Sequence, residues 1–311
     1  MTPRATEIVP PRFNMAAYCI GQAAATRPNA PALIVVDDPG ARAPAEVWTF
    51  AELEDACLRI AAALKASGLA PGARILIRLE NTSAYALLFF GAIAGGYVPL
   101  PTSAQLTADE VRFLIADSGA QAIALGRDLE IGSVPGGVRV FEADEVRHMI
   151  AKGRRGAFAD TAAGDPAFLI YTSGTTAKPK GVLHAQRSAF GRRPMYSGWY
   201  GIGPDDRMLH AGAFNWTFTL GTGLTDPWAN GATAIIYTGE KDPALWPRLI
   251  AQAGATLFAA VPGLYRKILK YARPEGSGLG RLRHGLVAGE KPPPAAECGA
   301  ARQSRGTRDE S

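Results

Sequence analysis

One short segment of the chain concentrates the residue types that bind phosphate. Residues 171–181 read YTSGTTAKPKG and directly follow an apolar run at residues 167–170. Glycine lets the backbone approach a ligand closely, the hydroxyl groups can donate to anionic oxygens, and the two lysines supply compensating charge. The segment therefore predicts a phosphate-binding loop after a strand. The alternative is a polar surface turn, since turns are also rich in Ser, Thr and Gly.

The spacing in this loop and the overall charge narrow the kind of ligand. The GxxxxGK[ST] pattern of P-loop NTPases cannot be laid over residues 174–181, so that class is disfavoured. The chain carries 33 Lys+Arg against 28 Asp+Glu, a net charge of +5, without a basic run or stripe. This distribution argues against a nucleic-acid surface and favours a polyphosphate such as a nucleotide.

Histidines and cysteines do not suggest a second chemical centre. The histidines are His148, His184, His210 and His284. They lack metal-ligand spacing, so we predict no metal held by the protein itself. His184 lies just after the loop, where a capping or surface role is expected. The cysteines, Cys19, Cys57 and Cys298, show no CxxC spacing, and their odd number argues for a reducing cytoplasm rather than a disulfide framework.

The elements that must position the loop alternate along the chain. The predicted strands are residues 32–37, 74–79, 120–125, 138–141, 167–171, 208–213, 233–237, 255–260 and 285–287. Several are continuous apolar runs, which is typical of parallel strands covered on both faces. Helical patterns between them predict an α/β architecture.

Three helices have clear sequence signals. Thr49 and Glu52 form a capping-box pattern, and apolar residues then recur at helical spacing up to Gly68. A second helix is predicted over residues 107–118. Pro243, following Asp242, opens a third helix. The charged residues 240–242 are expected to form a solvated turn.

Composition and hydropathy exclude other classes. The chain has 311 residues, of which 47% are hydrophobic and 20% charged, as in a globular protein with a sizeable core. The apolar run at residues 84–98 contains glycines and ends in a proline-rich stretch, so we predict a buried helix and no transmembrane segment. The first residues contain no apolar core of an export signal.

Several motifs together resemble a known family. The loop resembles the T-S-G-[ST]-[ST]-G-x-P-K-G signature of the adenylate-forming superfamily, with Ala177 where glycine is usual. This superfamily comprises acyl-CoA synthetases, luciferases and peptide-synthetase adenylation domains. Further matching segments, most similar to the medium-chain and aryl acyl-CoA synthetase branch, are residues 47–53, 68–75, 95–100, 261–266 and 282–290. The resemblance implies stacked, mostly parallel sheets flanked by helices.

The resemblance also implies a reaction and its phosphate-binding residues. A carboxylate attacks the α-phosphate of ATP and releases pyrophosphate, and the thiolate of coenzyme A then displaces AMP. The substrates are thus a small carboxylic acid, ATP with its Mg²⁺, and coenzyme A. Lys180 is implied as the catalytic residue of the loop. The implied phosphate contacts are Thr172, Ser173, Gly174, Thr175, Thr176, Lys178, Lys180 and Gly181.

Two further segments acquire roles through the resemblance. Gly289 and Glu290 match a stretch that lies along the adenine, although a strand end followed by a turn explains them equally well. Phe214, Asn215 and Trp216 match the segment beside the acyl and α-phosphate site, with Asn215 where many fatty-acid enzymes have histidine. The alternative for the two aromatic residues is a cluster that fills the core.

The resemblance ends at Glu290. Residues 291–311 contain no aromatic residue and no Ile, Leu, Val or Met, which predicts a disordered tail. We therefore expect residues 1–290 to form a partial N-terminal adenylate-forming domain, without the C-terminal domain and its lysine. A frameshift or gene truncation would explain the abrupt change, and the missing strands would leave an unpaired edge and poor solubility.

Several functional interpretations remain open at this point. The first is an AMP-forming acyl-CoA ligase in a truncated form that is inactive or nearly so. The alternatives are a non-catalytic nucleotide-binding remnant and an amino-acid adenylation domain. The sequence identifies neither the acid nor the oligomeric state.

Overall fold

Three sheets organise the part of the chain that the structure describes. The computed structural model describes residues 8–129, 131–172, 179–272 and 279–288. The strands are β1 (Pro31–Val36), β2 (Glu46–Thr49), β3 (Arg74–Arg78), β4 (Val98–Pro101), β5 (Ala122–Leu125), β6 (Arg139–Glu142), β7 (Pro166–Thr172), β8 (Lys180–Ala185), β9 (Arg207–His210), β10 (Thr233–Tyr237), β11 (Leu257–Ala260) and β12 (His284–Val287).

Helices and short helical turns connect these strands. The α-helices are α1 (Gln22–Thr26), α2 (Phe50–Ala66), α3 (Ser83–Ala94), α4 (Ala108–Ser118), α5 (Ala143–Lys152), α6 (Arg193–Met195), α7 (Thr217–Leu220), α8 (Asp226–Ala229), α9 (Trp246–Gln252) and α10 (Pro262–Tyr271). The π-helical turns are Ala17–Gly21, Tyr196–Tyr200 and Gly221–Thr225. The 3₁₀ turns are Gln186–Ser188, Phe190–Arg192, Pro243–Leu245 and Leu279–Arg281.

The two larger sheets are mostly parallel. One has the strand order β12-β11-β9-β10-β1-β2, with only β2 antiparallel to its neighbour. The other has the order β4-β3-β5-β6 and is wholly parallel. The main core contains residues of both sheets together with α2 and α3, while α9 and α10 cover the other face of the first sheet and α4 that of the second. This confirms the predicted architecture of stacked sheets flanked by helices.

Local sequence signals account for the best-predicted helices. Thr49 Oγ1 accepts a hydrogen bond from the Glu52 N–H at 3.3 Å, and the Glu52 carboxylate accepts one from the Thr49 N–H at 2.8 Å. This is the predicted capping box, and α2 ends shortly before Gly68, whose φ of +83° suits glycine. Thr107 and Glu110 form a second capping box at the start of α4.

The apolar run at residues 84–98 forms a core helix and an edge strand rather than a single element. Helix α3 is buried along its length and β4 follows it. The two prolines of β4 are tolerated because β4 lies at the edge of its sheet. No helix in the described ranges is long and apolar enough to cross a membrane.

Three strands were absent from the sequence prediction, and the prediction for β9 extends three residues past its observed end. Strands β2, β4 and β8 were missed. Strand β9 ends at His210 instead of continuing to residue 213, because the following backbone turns away to side-chain partners. The Gly212 N–H donates to His210 Nδ1 at 2.9 Å, and the Phe214 N–H donates to Asn81 Oδ1 at 2.9 Å.

Candidate functional site

A β-hairpin carries the predicted phosphate loop. Strands β7 and β8 are antiparallel, because the short connection between them cannot make the crossover that parallel strands need. Thr172 lies opposite Lys180 and Tyr171 opposite Gly181, so the hairpin closes at the two ends of the loop. Thr172, Lys180 and Gly181 are exposed. Ser173, Gly174, Thr175, Thr176 and Lys178 lie outside the described residues.

The loop end of the hairpin is tied to helix α4. The Tyr171 hydroxyl donates to Asp117 Oδ2 on α4 at 2.5 Å. Partial burial, and then the hydrogen bond and charge of Asp117, raise the pKa of Tyr171, so this hydroxyl stays protonated at neutral pH. The hydrogen bond fixes β7 one residue before Thr172, where the candidate phosphate contacts begin.

His184 has a different role from the capping or surface role expected of it. It lies opposite Phe168 in the hairpin, and the two rings stack with centroids 4.3 Å apart and planes 7° from parallel. Burial, and then the charge of Arg192, lower the pKa of His184. The half-buried ring packs against β7. This contact depends on strand pairing, which the position of His184 in the sequence does not show.

The segment after β9 holds the three predicted acyl-pocket residues in different environments. Phe214 is 4% exposed and packs against Tyr85, with ring centroids 5.4 Å apart. Asn215 is half-buried, and Trp216 is 57% exposed. The core-filling alternative thus describes Phe214 and does not describe Trp216.

Asn81 anchors this aromatic segment and was missed by the sequence analysis. Besides accepting from the Phe214 N–H, its amide group donates to the Gly212 carbonyl at 3.5 Å. Asn81 lies between the end of β3 and the start of α3. Its position just beyond the carboxyl end of a parallel strand could have indicated a functional role, because α/β proteins bind ligands at the carboxyl ends of their strands.

His210 ends β9 as a buried, uncharged imidazole. Its side chain is 7% exposed, and burial lowers its pKa to about 3. The ring packs edge to face against Phe218 at a centroid distance of 4.6 Å. No metal-ligand spacing surrounds it, and the described part of the chain contains no group of three His, Cys, Asp or Glu residues that could hold a metal ion.

A buried ion pair joins the chain after β8 to the chain after β9. Arg192 donates from Nε to Asp226 Oδ1 and from Nη2 to Asp226 Oδ2, both at 2.6 Å. The Tyr200 hydroxyl also donates to Asp226, whose side chain is fully buried. Burial raises the pKa of Asp226, but the hydrogen bonds and charge of Arg192 act in the opposite direction. The pair joins the turn that follows the hairpin to the first residue of α8.

The two residues predicted to lie along the adenine come directly after the last described segment of the chain. Strand β12 ends at Val287 and lies parallel to β11, with Val287 opposite Ala260. Gly289 and Glu290 lie outside the described residues, as does the tail at residues 291–311.

Comparisons with known proteins identify the family of this chain and two similar ligases. The family of AMP-binding enzymes matches residues 20–306, and the chain belongs to this family. It is 28% identical over 299 residues to 3-hydroxybenzoate–CoA ligase of Aromatoleum sp. (strain CIB), covering 90% of this chain and 57% of that protein. It is 29% identical over 306 residues to benzoate–CoA ligase of Thauera aromatica, covering 94% of this chain and 56% of that protein.

A solved structure gives the corresponding similarity in three dimensions. The benzoate CoA ligase from Burkholderia xenovorans LB400 superposes with a TM-score of 0.80 at 27% sequence identity, covering 91% of this chain and 57% of that one. The present chain thus spans a little over half the length of the proteins it matches.

Proposed function

We propose that this chain is the ATP-binding part of an AMP-forming acid–CoA ligase whose substrate is an aryl carboxylic acid. The observation that carries the proposal is the pairing of Thr172 with Lys180 where the hairpin closes, at the two ends of a loop with the family's phosphate signature. Membership of the AMP-binding family and the names of the benzoate and 3-hydroxybenzoate relatives support the choice of reaction.

In the proposed reaction the hairpin holds the triphosphate. Negative charge builds on the leaving pyrophosphate when the carboxylate attacks the α-phosphate, and fixed hydroxyl, backbone and ammonium donors stabilise that charge. Lys180 supplies positive charge at one end of the loop and Thr172 a hydroxyl at the other. Mg²⁺ would be held by the phosphates of the nucleotide and would add positive charge there.

The acid is assigned to the aromatic segment. Trp216 is exposed at the carboxyl end of the parallel sheet, whereas Phe214 and Asn81 hold the backbone beside it. An exposed indole next to a buried aromatic anchor can bind an aryl ring through stacking. Gly289 and Glu290 are assigned to the adenine side. Coenzyme A would then take up the acyl group and release AMP.

Acid activation by residues 1–311 alone can be measured separately from nucleotide binding. We expect acid-dependent exchange of labelled pyrophosphate into ATP to be absent or very slow with this chain. Rapid exchange with benzoate would contradict that expectation and support the reaction. Exchange with amino acids but not with benzoate would favour the amino-acid adenylation alternative.

Nucleotide binding tests the proposal without requiring turnover. We expect the chain to bind ATP with Mg²⁺, measured by titration calorimetry, and Lys180→Ala to weaken binding about tenfold or more, since a charged hydrogen bond is lost. Lys241→Ala is the matched control, because Lys241 is an exposed lysine in the solvated turn before α9. No binding by the native chain, or equal weakening by both variants, would contradict the proposal.

A further inference from the structure

A tyrosine links the candidate phosphate loop to a helix outside the hairpin. Tyr171 precedes Thr172 in β7, and its hydroxyl donates to Asp117 Oδ2 at 2.5 Å. Asp117 lies in the last turn of α4, the helix that packs on the four-stranded sheet. The strand that leads into the loop is therefore held by a side chain that belongs to a different part of the fold.

The position of Asp117 is unfavourable for the helix that carries it. Carboxylates are disfavoured near helix C-termini, where the backbone carbonyls carry partial negative charge, and α4 has no basic residue in its last turn. Arg74 of β3 supplies a cation there, because its guanidinium donates to the Ser118 carbonyl. The carboxylate of Asp117 thus serves the fold as an acceptor for Tyr171 and not as a stabiliser of α4.

The ring of Tyr171 also contacts the opposite strand of the hairpin. Gly181 pairs with Tyr171, and a Cβ at Gly181 would lie 3.3 Å from Tyr171 Cζ and 3.2 Å from Leu169 Cδ1. The φ of Gly181 is not positive, so this position needs glycine for the close approach of the ring and not for a left-handed backbone. One side chain therefore touches the hairpin on both sides of the loop.

We propose that Tyr171 and Asp117 are positioning residues for the triphosphate of ATP. Their hydrogen bond holds the paired ends of the loop, Thr172 and Lys180, in the geometry that binds phosphate. The inference rests on the proposed function and extends it to Asp117, a residue far from the loop in the sequence. Donors that are fixed before the ligand arrives bind it without the cost of ordering them, so a hairpin released from α4 should bind the triphosphate more weakly.

Nucleotide titrations of the full chain test this assignment. ATP with Mg²⁺ and AMP are titrated calorimetrically into the native chain and its variants. We expect Tyr171→Phe and Asp117→Ala each to weaken ATP binding about five- to tenfold and to leave AMP binding unchanged, since one hydrogen bond to a charged group is lost beside the loop. Asp117→Asn keeps an oxygen that accepts from the tyrosine hydroxyl, so it should retain most of the native affinity for ATP.

The same variants separate positioning from simple electrostatics. If Asp117 acted only through its charge, both Asp117→Ala and Asp117→Asn would strengthen ATP binding, because a negative charge near the triphosphate is removed. That result would overturn the proposal. A general loss of structure would weaken the binding of ATP and AMP alike, which would also overturn it.

A double variant and a matched control complete the test. Tyr171→Phe combined with Asp117→Ala should weaken ATP binding no more than Tyr171→Phe alone, because both changes remove the same hydrogen bond. Asp109→Ala is the control, since Asp109 is an exposed aspartate in the first turn of α4, and we expect it to leave both affinities unchanged.

The outcomes distinguish this inference from the proposed function. Native ATP binding that is unaffected by Tyr171→Phe, or additive losses in the double variant, would overturn the positioning role and leave the proposed function intact. Absence of ATP binding by the native chain would overturn both.

Discussion

Arg192 and Asp226 form a two-pronged ion pair inside the protein, with both nitrogen–oxygen distances at 2.6 Å. The two residues belong to segments that follow different strands, β8 and β9. A paired and hydrogen-bonded charge is stable in the interior, whereas a single charge left behind is not. The pair therefore holds together the turn after β8 and the start of α8, which follow the candidate phosphate loop and the candidate acid-binding residues in the chain.

Removing one partner of this pair should destabilise the fold strongly. We expect Asp226→Ala to lower the free energy of unfolding by about 3–5 kcal/mol, because Arg192 loses its countercharge. Urea denaturation followed by tryptophan fluorescence measures the change. Asp144→Ala is the control, since Asp144 also contacts arginines but is exposed, and its loss should shift the unfolding midpoint little. Similar shifts in the two variants would show that the buried pair is not structurally important.

Asn81 should control the stability of the aromatic segment. Asn81→Ala leaves the Phe214 N–H without its acceptor, and we expect a loss of about 1–3 kcal/mol in unfolding free energy. Asn81→Asp keeps an acceptor and loses the donor to Gly212, so its effect should be smaller. The test is a comparison of urea midpoints, and a larger loss with Asp than with Ala would refute the assigned hydrogen bond.

The capping box of α2 predicts a pH dependence with a definite sign. Hydrogen bonds from the Thr49 backbone and side chain lower the pKa of Glu52 below its ordinary value of 4.5. The carboxylate therefore stabilises the folded state above that value, and this stabilisation is lost as the pH falls through the lower, folded pKa.

Substitutions at Thr49 give the measurement. We expect Thr49→Ala to cost about 1 kcal/mol at pH 7 and progressively less as the pH falls through the lowered, folded pKa of Glu52. Thermal unfolding over a series of pH values provides the comparison, with Thr49→Ser as the variant that keeps the cap. A cost that is independent of pH would exclude a contribution from Glu52.

His184 should make the hairpin sensitive to mild acid. Its pKa is lowered, first by burial, so the unfolded chain takes up a proton at a higher pH than the folded chain does. Stability is then fully present above the unfolded value of about 6.5 and falls as the pH drops below it. We expect His184→Phe, which keeps a ring opposite Phe168, to lose less stability between pH 7 and pH 5 than the native chain. An unchanged difference between the two pH values would rule out His184 as the source.

The sequence predicted those features whose causes are local. Helix α2 was predicted from a capping box and from apolar spacing, both of which lie within the helix and its cap. Strand β7 and the loop signature were likewise predicted, because both lie in one continuous stretch of the sequence. Strand β8 was missed because its exposed residues gain their strand conformation from pairing with β7, which no local pattern records.

The candidate site was predicted only in part, for the same reason. The anchoring of Phe214 by Asn81 and the Arg192–Asp226 ion pair join residues that are distant in the sequence. The hydrogen bond from Tyr171 to Asp117 likewise joins β7 and α4, which the fold brings together. Composition and spacing do not encode such contacts, whereas the tertiary structure defines them.

The most direct test of the central claim compares ATP with AMP. If the hairpin closed by Thr172 and Lys180 binds the β- and γ-phosphates, the native chain should bind ATP with Mg²⁺ at least tenfold more tightly than AMP in calorimetric titrations, because the charged contacts of the loop are made only with the triphosphate. In Lys180→Ala the difference between the two nucleotides should shrink, while AMP binding is unchanged. Equal affinity of the native chain for ATP and AMP would contradict the assignment of the hairpin to the triphosphate.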